Sequence, residues 1–225
     1  MIDNHGRKSL MTLFLVFGTS TTYGAWDLEG GWVQRLRKYL DQRQFNNPDL
    51  YYVVYNLGIS GDTSKGMLER FEFETKQRLA LRDKGEEVII LICVGVNDSI
   101  YNNKTKKNQV DLNKYTSNIE KLIRLAKKYT NKVIFVGNKP IDEKRVDPIP
   151  WLDGCSYKKE FVELYDNKIA ELCKKNNILF FDVYHTFIKI KNYNKLLTDG
   201  VHPSTEGHKI IYEIVRDLLI NKKII

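Results

Sequence analysis

Short apolar runs alternate with amphipathic stretches along nearly the whole chain. Residues 10–17, 51–56, 88–94, 132–136 and 178–183 are rich in Val, Ile, Leu and Phe and apolar at most successive positions. Side chains alternate between faces along a strand, so such runs predict strands buried on both sides, as in a parallel sheet covered by helices. Between them, Trp32, Leu36, Tyr39 and Leu40 recur at helical spacing, as do Leu112, Tyr115, Ile119, Leu122, Ile123 and Ala126. Phe161, Tyr165, Ile169 and Leu172 form a third stripe, and Ile210, Ile211, Ile214 and Leu218 a fourth. Spacings of three and four put each set on one helix face. A less regular helix is expected over 63–79. Five strands alternating with five helices predict one α/β domain over 1–225, a flavodoxin-like three-layer α/β/α sandwich on a five-stranded parallel sheet. Two connections, 99–110 and 138–155, exceed the usual length, and long ordered loops at the carboxyl edge of such a sheet read as functional lids.

Composition narrows the class. With 42% hydrophobic and 28% charged residues in 225, the chain has enough apolar surface to fold, which excludes intrinsic disorder. The run at 10–17 is broken by Thr12 and falls far short of the roughly 20 residues of a bilayer span. Arg7 and Lys8 before it imitate the start of a secretory signal, yet no small-residue cleavage site follows. Cys93, Cys155 and Cys173 form no CxxC pair and are too few for a disulfide framework, so a reducing, cytoplasmic setting without structural zinc is expected. The net charge of +8 comes from residues 101–225, in pairs such as 106–107, 127–128, 158–159 and 174–175. These pairs read as loops or helix C-termini, where cations complement the helix dipole, and not as a nucleic-acid surface.

Candidate chemistry collects where an α/β sheet builds its site, just past the carboxyl ends of the strands. The first strand is followed by Gly18-Thr19-Ser20-Thr21-Thr22-Tyr23-Gly24 and the second by Asn56-Leu57-Gly58-Ile59-Ser60-Gly61-Asp62-Thr63. Gly95-Val96-Asn97-Asp98 follows the third, and Thr198-Asp199-Gly200-Val201-His202-Pro203 lies beyond the fifth. A serine hydroxyl needs an adjacent base to act as a nucleophile at neutral pH, and a carboxylate fixes the tautomer of an imidazole base. Asp199 and His202, three residues apart, suit one turn, and glycine turns with the Asn97 carboxamide offer donors for an oxyanion.

In order and position, these four blocks resemble the SGNH (GDSL) hydrolase family of serine esterases and lipases. The resemblance spans residues 18–203 and implies the SGNH hydrolase fold and cleavage of small-molecule carboxylic esters without metal or organic cofactor. It makes Ser20 the nucleophile, His202 the base, Asp199 its orienting acid, and the Ser20 N–H, Gly61 N–H and Asn97 side chain the oxyanion donors. One position departs: the family's first block has Asp where this chain has Thr19, which weakens the bracing expected of the Ser20 turn. Thr22 also breaks the G-x-S-x-G elbow of α/β-hydrolases.

Other readings remain open at this level. Within the same family, the substrate is an open choice that includes acetylated carbohydrates and other small esters. A non-catalytic carbohydrate-binding relative is the reading that Thr19 motivates. A flavodoxin-like FMN protein would use the hydroxyl-rich turn at 18–24 as a phosphate cradle. Ser20 alone is a common helix-start residue, Asn97 a common turn residue, and Gly61 a source of positive φ. His185 is the alternative base, and His208 reads as structural. Tyr23, Trp26 and Trp151 are candidates for pocket lining or for local packing.

Overall fold

The computed structural model describes residues 11–83 and 85–225; Leu10, the first residue of the first expected strand, lies outside them. The main sheet has five strands, β1 (Met11–Gly18), β2 (Tyr51–Gly58), β3 (Glu87–Ile92), β4 (Lys132–Val136) and β5 (Leu179–Phe181). They are parallel and ordered β2-β1-β3-β4-β5. That is the flavodoxin-like doubly wound order, whose ligand crevice opens at the switch between β1 and β3.

The apolarity of the central strands follows from burial on both faces, while the edge strands β2 and β5 are partly exposed. In β1, Leu13, Leu15 and Phe17 join one core, while Phe14 and Val16 join the other. The first core is covered by α2 (Ser64–Leu79), α3 (Leu112–Ala126) and α4 (Lys159–Lys175), through Met67, Phe71, Ile119, Leu122, Tyr165 and Ile169. The second is covered by α1 (Gly31–Asn46) and α5 (Thr205–Asn221), through Trp32, Leu36, Leu40, Ile211 and Val215. Full burial of each such side chain contributes about 1.5–3 kcal/mol. Helix starts are set locally: Thr63, Asp111 and Ser204 each accept a backbone N–H from the first turn of α2, α3 and α5.

Three expectations change in detail. β5 stops at Phe181 because Asp182 caps a short helix, Val183–Ile188, by accepting the His185 N–H. The two long loops are not free lids: Tyr101–Asn102 pairs antiparallel with Lys107–Asn108 on one side and with Cys155–Ser156 on the other. A third apolar cluster, including Ile100, Ile141, Ile149, Tyr157 and Val201, packs beneath them. Lys158 and Lys159 start α4 instead of ending a helix, and there Lys158 pairs with Asp147. Among the described residues no helix is long and apolar enough to cross a membrane.

One buried acid predicts a pH signature of the fold. Asp166 on α4 is 1% exposed, and its Oδ1 accepts both the backbone and side-chain N–H of Asn138, at 2.6 and 3.1 Å. Burial pushes its carboxyl up to about 7. An unfolded Asp titrates near 3.9, so between the two values the folded state holds the extra proton and stability falls as pH rises. Asp166→Asn keeps the acceptor and removes the ionisation. Its melting temperature relative to wild type is expected to be several degrees more favourable at about pH 8 than at about pH 4.5; an offset independent of pH would contradict this account.

Candidate active site

The three turns past β1, β2 and β3 are bound to one another before any side-chain chemistry is considered. Gly18 and Gly58 face each other across the sheet. Each is glycine for a steric reason: a Cβ on Gly18 would lie 1.9 Å from Thr22 Oγ1, and one on Gly58 would lie 2.2 Å from the Tyr23 nitrogen. The helical turn Ser20–Tyr23 can therefore fold down onto the ends of both strands. Asn56 Nδ2 donates to the Thr22 carbonyl at 2.8 Å, and the Ile59 N–H donates to the Gly18 carbonyl at 3.1 Å. Arg70 spans the same junction, donating to Asp62 at 2.9 Å and to the Gly18 carbonyl at 3.2 Å.

The next turn is tied in through its side chains. Asn97, 7% exposed, donates from Nδ2 to the Asp62 carbonyl at 2.8 Å and accepts the Tyr157 hydroxyl at 3.0 Å through Oδ1. Its carboxamide is thereby held at both ends, with one amide hydrogen of the two still to direct elsewhere. Asp98 accepts the Ser64 backbone N–H at 3.0 Å and its hydroxyl at 2.5 Å, and burial pushes the Asp98 carboxyl up to about 6. Asp98 thus anchors the start of α2. Gly61 has φ +77° with open space around a built Cβ, so conformation alone favours glycine there.

Ser20, His202 and Asp199 come together from opposite ends of the chain. Ser20 Oγ lies 2.9 Å from His202 Nε2, and His202 Nδ1 lies 2.6 Å from Asp199 Oδ2. Asp199 Oδ1 also accepts the backbone N–H groups of Val201 and His202 at 2.9 and 2.8 Å. Burial alone would raise the Asp199 carboxyl, but these bonds outweigh it and hold it well below the usual carboxylate range. With Asp199 ionised, Nδ1 carries the imidazole proton and Nε2 accepts from the serine hydroxyl. Arg145 fixes the approach to this turn by donating to the Leu197 and Thr198 carbonyls at 2.9 and 2.5 Å.

Two tryptophans complete the site. Trp26 donates from Nε1 to Asp199 Oδ2 at 3.0 Å and stands edge-on to the His202 ring, centroids 5.8 Å apart. Trp151 lies 6.5 Å from the same ring. Together with Thr198, Asp199 and His202 they line an open cleft of about 360 Å³. Trp26 is 65% exposed and Trp151 53%, so neither is held in place as core. Tyr23 lines an adjoining hollow.

The remaining candidates lie elsewhere. His185 bonds Asp182 at 3.0 Å, with Glu163 as its other acidic neighbour at 4.0 Å, while His202 is the imidazole on Ser20. His208 is fully buried with Nε2 on the Ala25 carbonyl, and burial lowers it to about 4. Among the described residues no group of three His, Cys, Asp or Glu side chains could hold a metal ion. Of the hydroxyls in the 18–24 turn, that of Ser20 is engaged with His202. Sequence reasoning missed the indole bond to Asp199 and the Tyr157 bond to Asn97, since neither partner lies near its acceptor along the chain.

Comparison with known proteins gives a consistent result. The profile of the GDSL-like lipase/acylhydrolase family matches residues 16–210. A GDSL esterase/lipase of Arabidopsis thaliana is 27% identical over 135 residues, 57% of this chain and 53% of the plant protein. A human isoamyl acetate-hydrolyzing esterase 1 homolog is 22% identical over 96% of this chain and 85% of its own. Among solved structures, an acetylxylan esterase from Geobacillus stearothermophilus superposes with a TM-score of 0.68 at 23% identity, covering 91% of this chain and 92% of that one.

Proposed function

The chain belongs to the GDSL-like lipase/acylhydrolase family, and from that premise we propose that it hydrolyses small-acyl carboxylic esters through an acyl-enzyme on Ser20. The observation that carries this reading is the unbroken hydrogen-bond path from Ser20 Oγ through His202 to Asp199. In this reading residues 1–225 act as one hydrolase domain. His202 Nε2 takes the Ser20 proton as Oγ attacks the ester carbonyl carbon, and Asp199 stabilises the imidazolium that forms. The developing oxyanion is met by the Ser20 N–H, the Gly61 N–H and the second amide hydrogen of Asn97. The imidazolium then gives its proton to the departing alkoxide, which leaves as the alcohol. Water repeats the cycle on the acyl-enzyme and releases the carboxylic acid. Side chains and backbone supply every step.

The Trp26 and Trp151 cleft adjoins His202, the group that protonates the leaving alcohol, so it is read as the site of the alcohol portion. Support for a small acyl group comes from the human and Geobacillus relatives, both named for acetate esters. A panel of p-nitrophenyl esters of increasing acyl length, with an acetylated xylo-oligosaccharide, tests the reading. Acetate is expected to exceed octanoate in kcat/KM by about tenfold or more. Faster turnover of the long chain would overturn the small-acyl assignment.

Trp26 predicts a second result. Trp26→Phe keeps the ring beside His202 and removes the N–H on Asp199. Because Asp199 retains its backbone donors, kcat is expected to fall only about 3–10-fold, with little change in melting temperature. An unchanged kcat would mean the indole bond is incidental.

A further inference from the structure

A small cavity adjoins the Ser20 turn and shares no lining residue with the open cleft. It is lined by Thr19 and Thr21 from the turn, Trp32 from α1, Cys93, Val96 and Val136 at the strand ends, and Lys139 from the loop after β4. Its volume of about 10 Å³ holds one monatomic or water-sized species.

Its polar lining is rich in donors. Lys139 is 3% exposed and makes no hydrogen bond or ion pair with any described residue. Trp32 is fully buried, and its indole N–H has no acceptor among the described residues. Thr19 and Thr21 add hydroxyls, and the turn presents no carboxylate to the cavity. The nearest electrostatic partners do not neutralise the ammonium. Cys93 is a thiol that burial pushes up to about 12, so it stays uncharged. Asp199 influences Lys139 only at a distance, its oxygens being taken by His202, Trp26 and backbone N–H groups. Burial lowers Lys139 to about 8, which still leaves it mainly charged at neutral pH. A buried ammonium without a counter-charge is costly. A water would solvate the group without balancing it, whereas an anion accepts from every donor and cancels the charge.

We propose that this cavity is a binding site for a single halide-class monovalent anion, held by Lys139 and Trp32 with help from the hydroxyls of Thr19 and Thr21. The site is separate from the ester cleft, and its occupancy stabilises the Ser20 turn.

Melting temperature measured in sodium chloride and in sodium gluconate at equal ionic strength tests the proposal. At about 0.3 M, chloride and bromide are expected to raise it by about 2–8 °C over gluconate. Lys139→Met should abolish the difference by removing the charge. Thr19→Asp should abolish it by supplying a carboxylate in place of the anion. Crystals of the wild-type protein grown in bromide should show an anomalous peak at hydrogen-bond distance from Lys139 Nζ, an arm that needs no variant to fold. Equal melting temperatures in the two salts, a response that survives in both variants, or no bromide at Lys139 would each overturn the assignment.

Discussion

Ser20→Ala is expected to lower kcat/KM on p-nitrophenyl acetate by about 10⁵-fold or more, while the melting temperature stays within a few degrees of wild type. The reason for so large a loss is that proton transfer and bond formation both run through one oxygen. With Oγ gone, His202 and Asp199 have no nucleophile to activate, and only substrate binding and the oxyanion donors continue to help a water attack. The fold has little stake in the change. Ser20 begins a one-turn helix whose backbone bonds, Tyr23 N–H to the Thr19 carbonyl and Gly24 N–H to the Ser20 carbonyl, do not involve its hydroxyl. A fluorophosphonate probe should label wild type at Ser20 and leave the variant unmodified. Full activity in the variant, or label at another residue, would sink the proposed mechanism.

Asn97→Ala should cost about 10²–10³-fold in kcat with KM nearly unchanged, the size seen when one oxyanion donor is removed. The split between the two constants is the discriminating part. A ground-state contact would appear in KM, whereas a donor that strengthens as charge develops on the carbonyl oxygen appears in kcat. Because Asn97 bonds both the Asp62 carbonyl and the Tyr157 hydroxyl, the variant should also lose some stability, about 1–3 kcal/mol for the buried groups left unpaired. Tyr157→Phe separates the two effects. It frees one end of the carboxamide without removing its N–H groups, so kcat should fall by less than in Asn97→Ala. If KM alone rises in Asn97→Ala, the residue contacts substrate but is not an oxyanion donor.

The frame of this protein was readable in its sequence because the central strands of the sheet are buried on both faces, leaving runs such as Val88–Ile92 with no polar position to confuse the period. The serine, the Asp-x-x-His and the Asn97 turn were readable because strand ends are the place where such a sheet gathers its chemistry. Less was legible where meaning depends on a distant partner. Trp26 looks like any loop aromatic until Asp199, 173 positions away, is seen to accept its N–H. Lys139 looks like one more solvated lysine in a basic half of the chain, and only packing shows that it is enclosed. The end of β5 is less legible because Val183 resumes the apolar pattern after Asp182, whose side chain turns the backbone into a helix.

The strand pairing of Tyr101 with Ser156 and Asn102 with Cys155 makes the two long loops one exchangeable cassette. Trp151 sits on the second loop and the Asn97 partner Tyr157 just after it, on either side of that seam. A designer who grafts only one of the loops from a relative would break the seam and displace both residues, whereas moving 99–110 and 138–157 together transfers a complete unit. Natural variants face the same constraint, so changes in the first hairpin should be tolerated only with matching changes near Cys155, and new substrate preferences should arise through both segments at once.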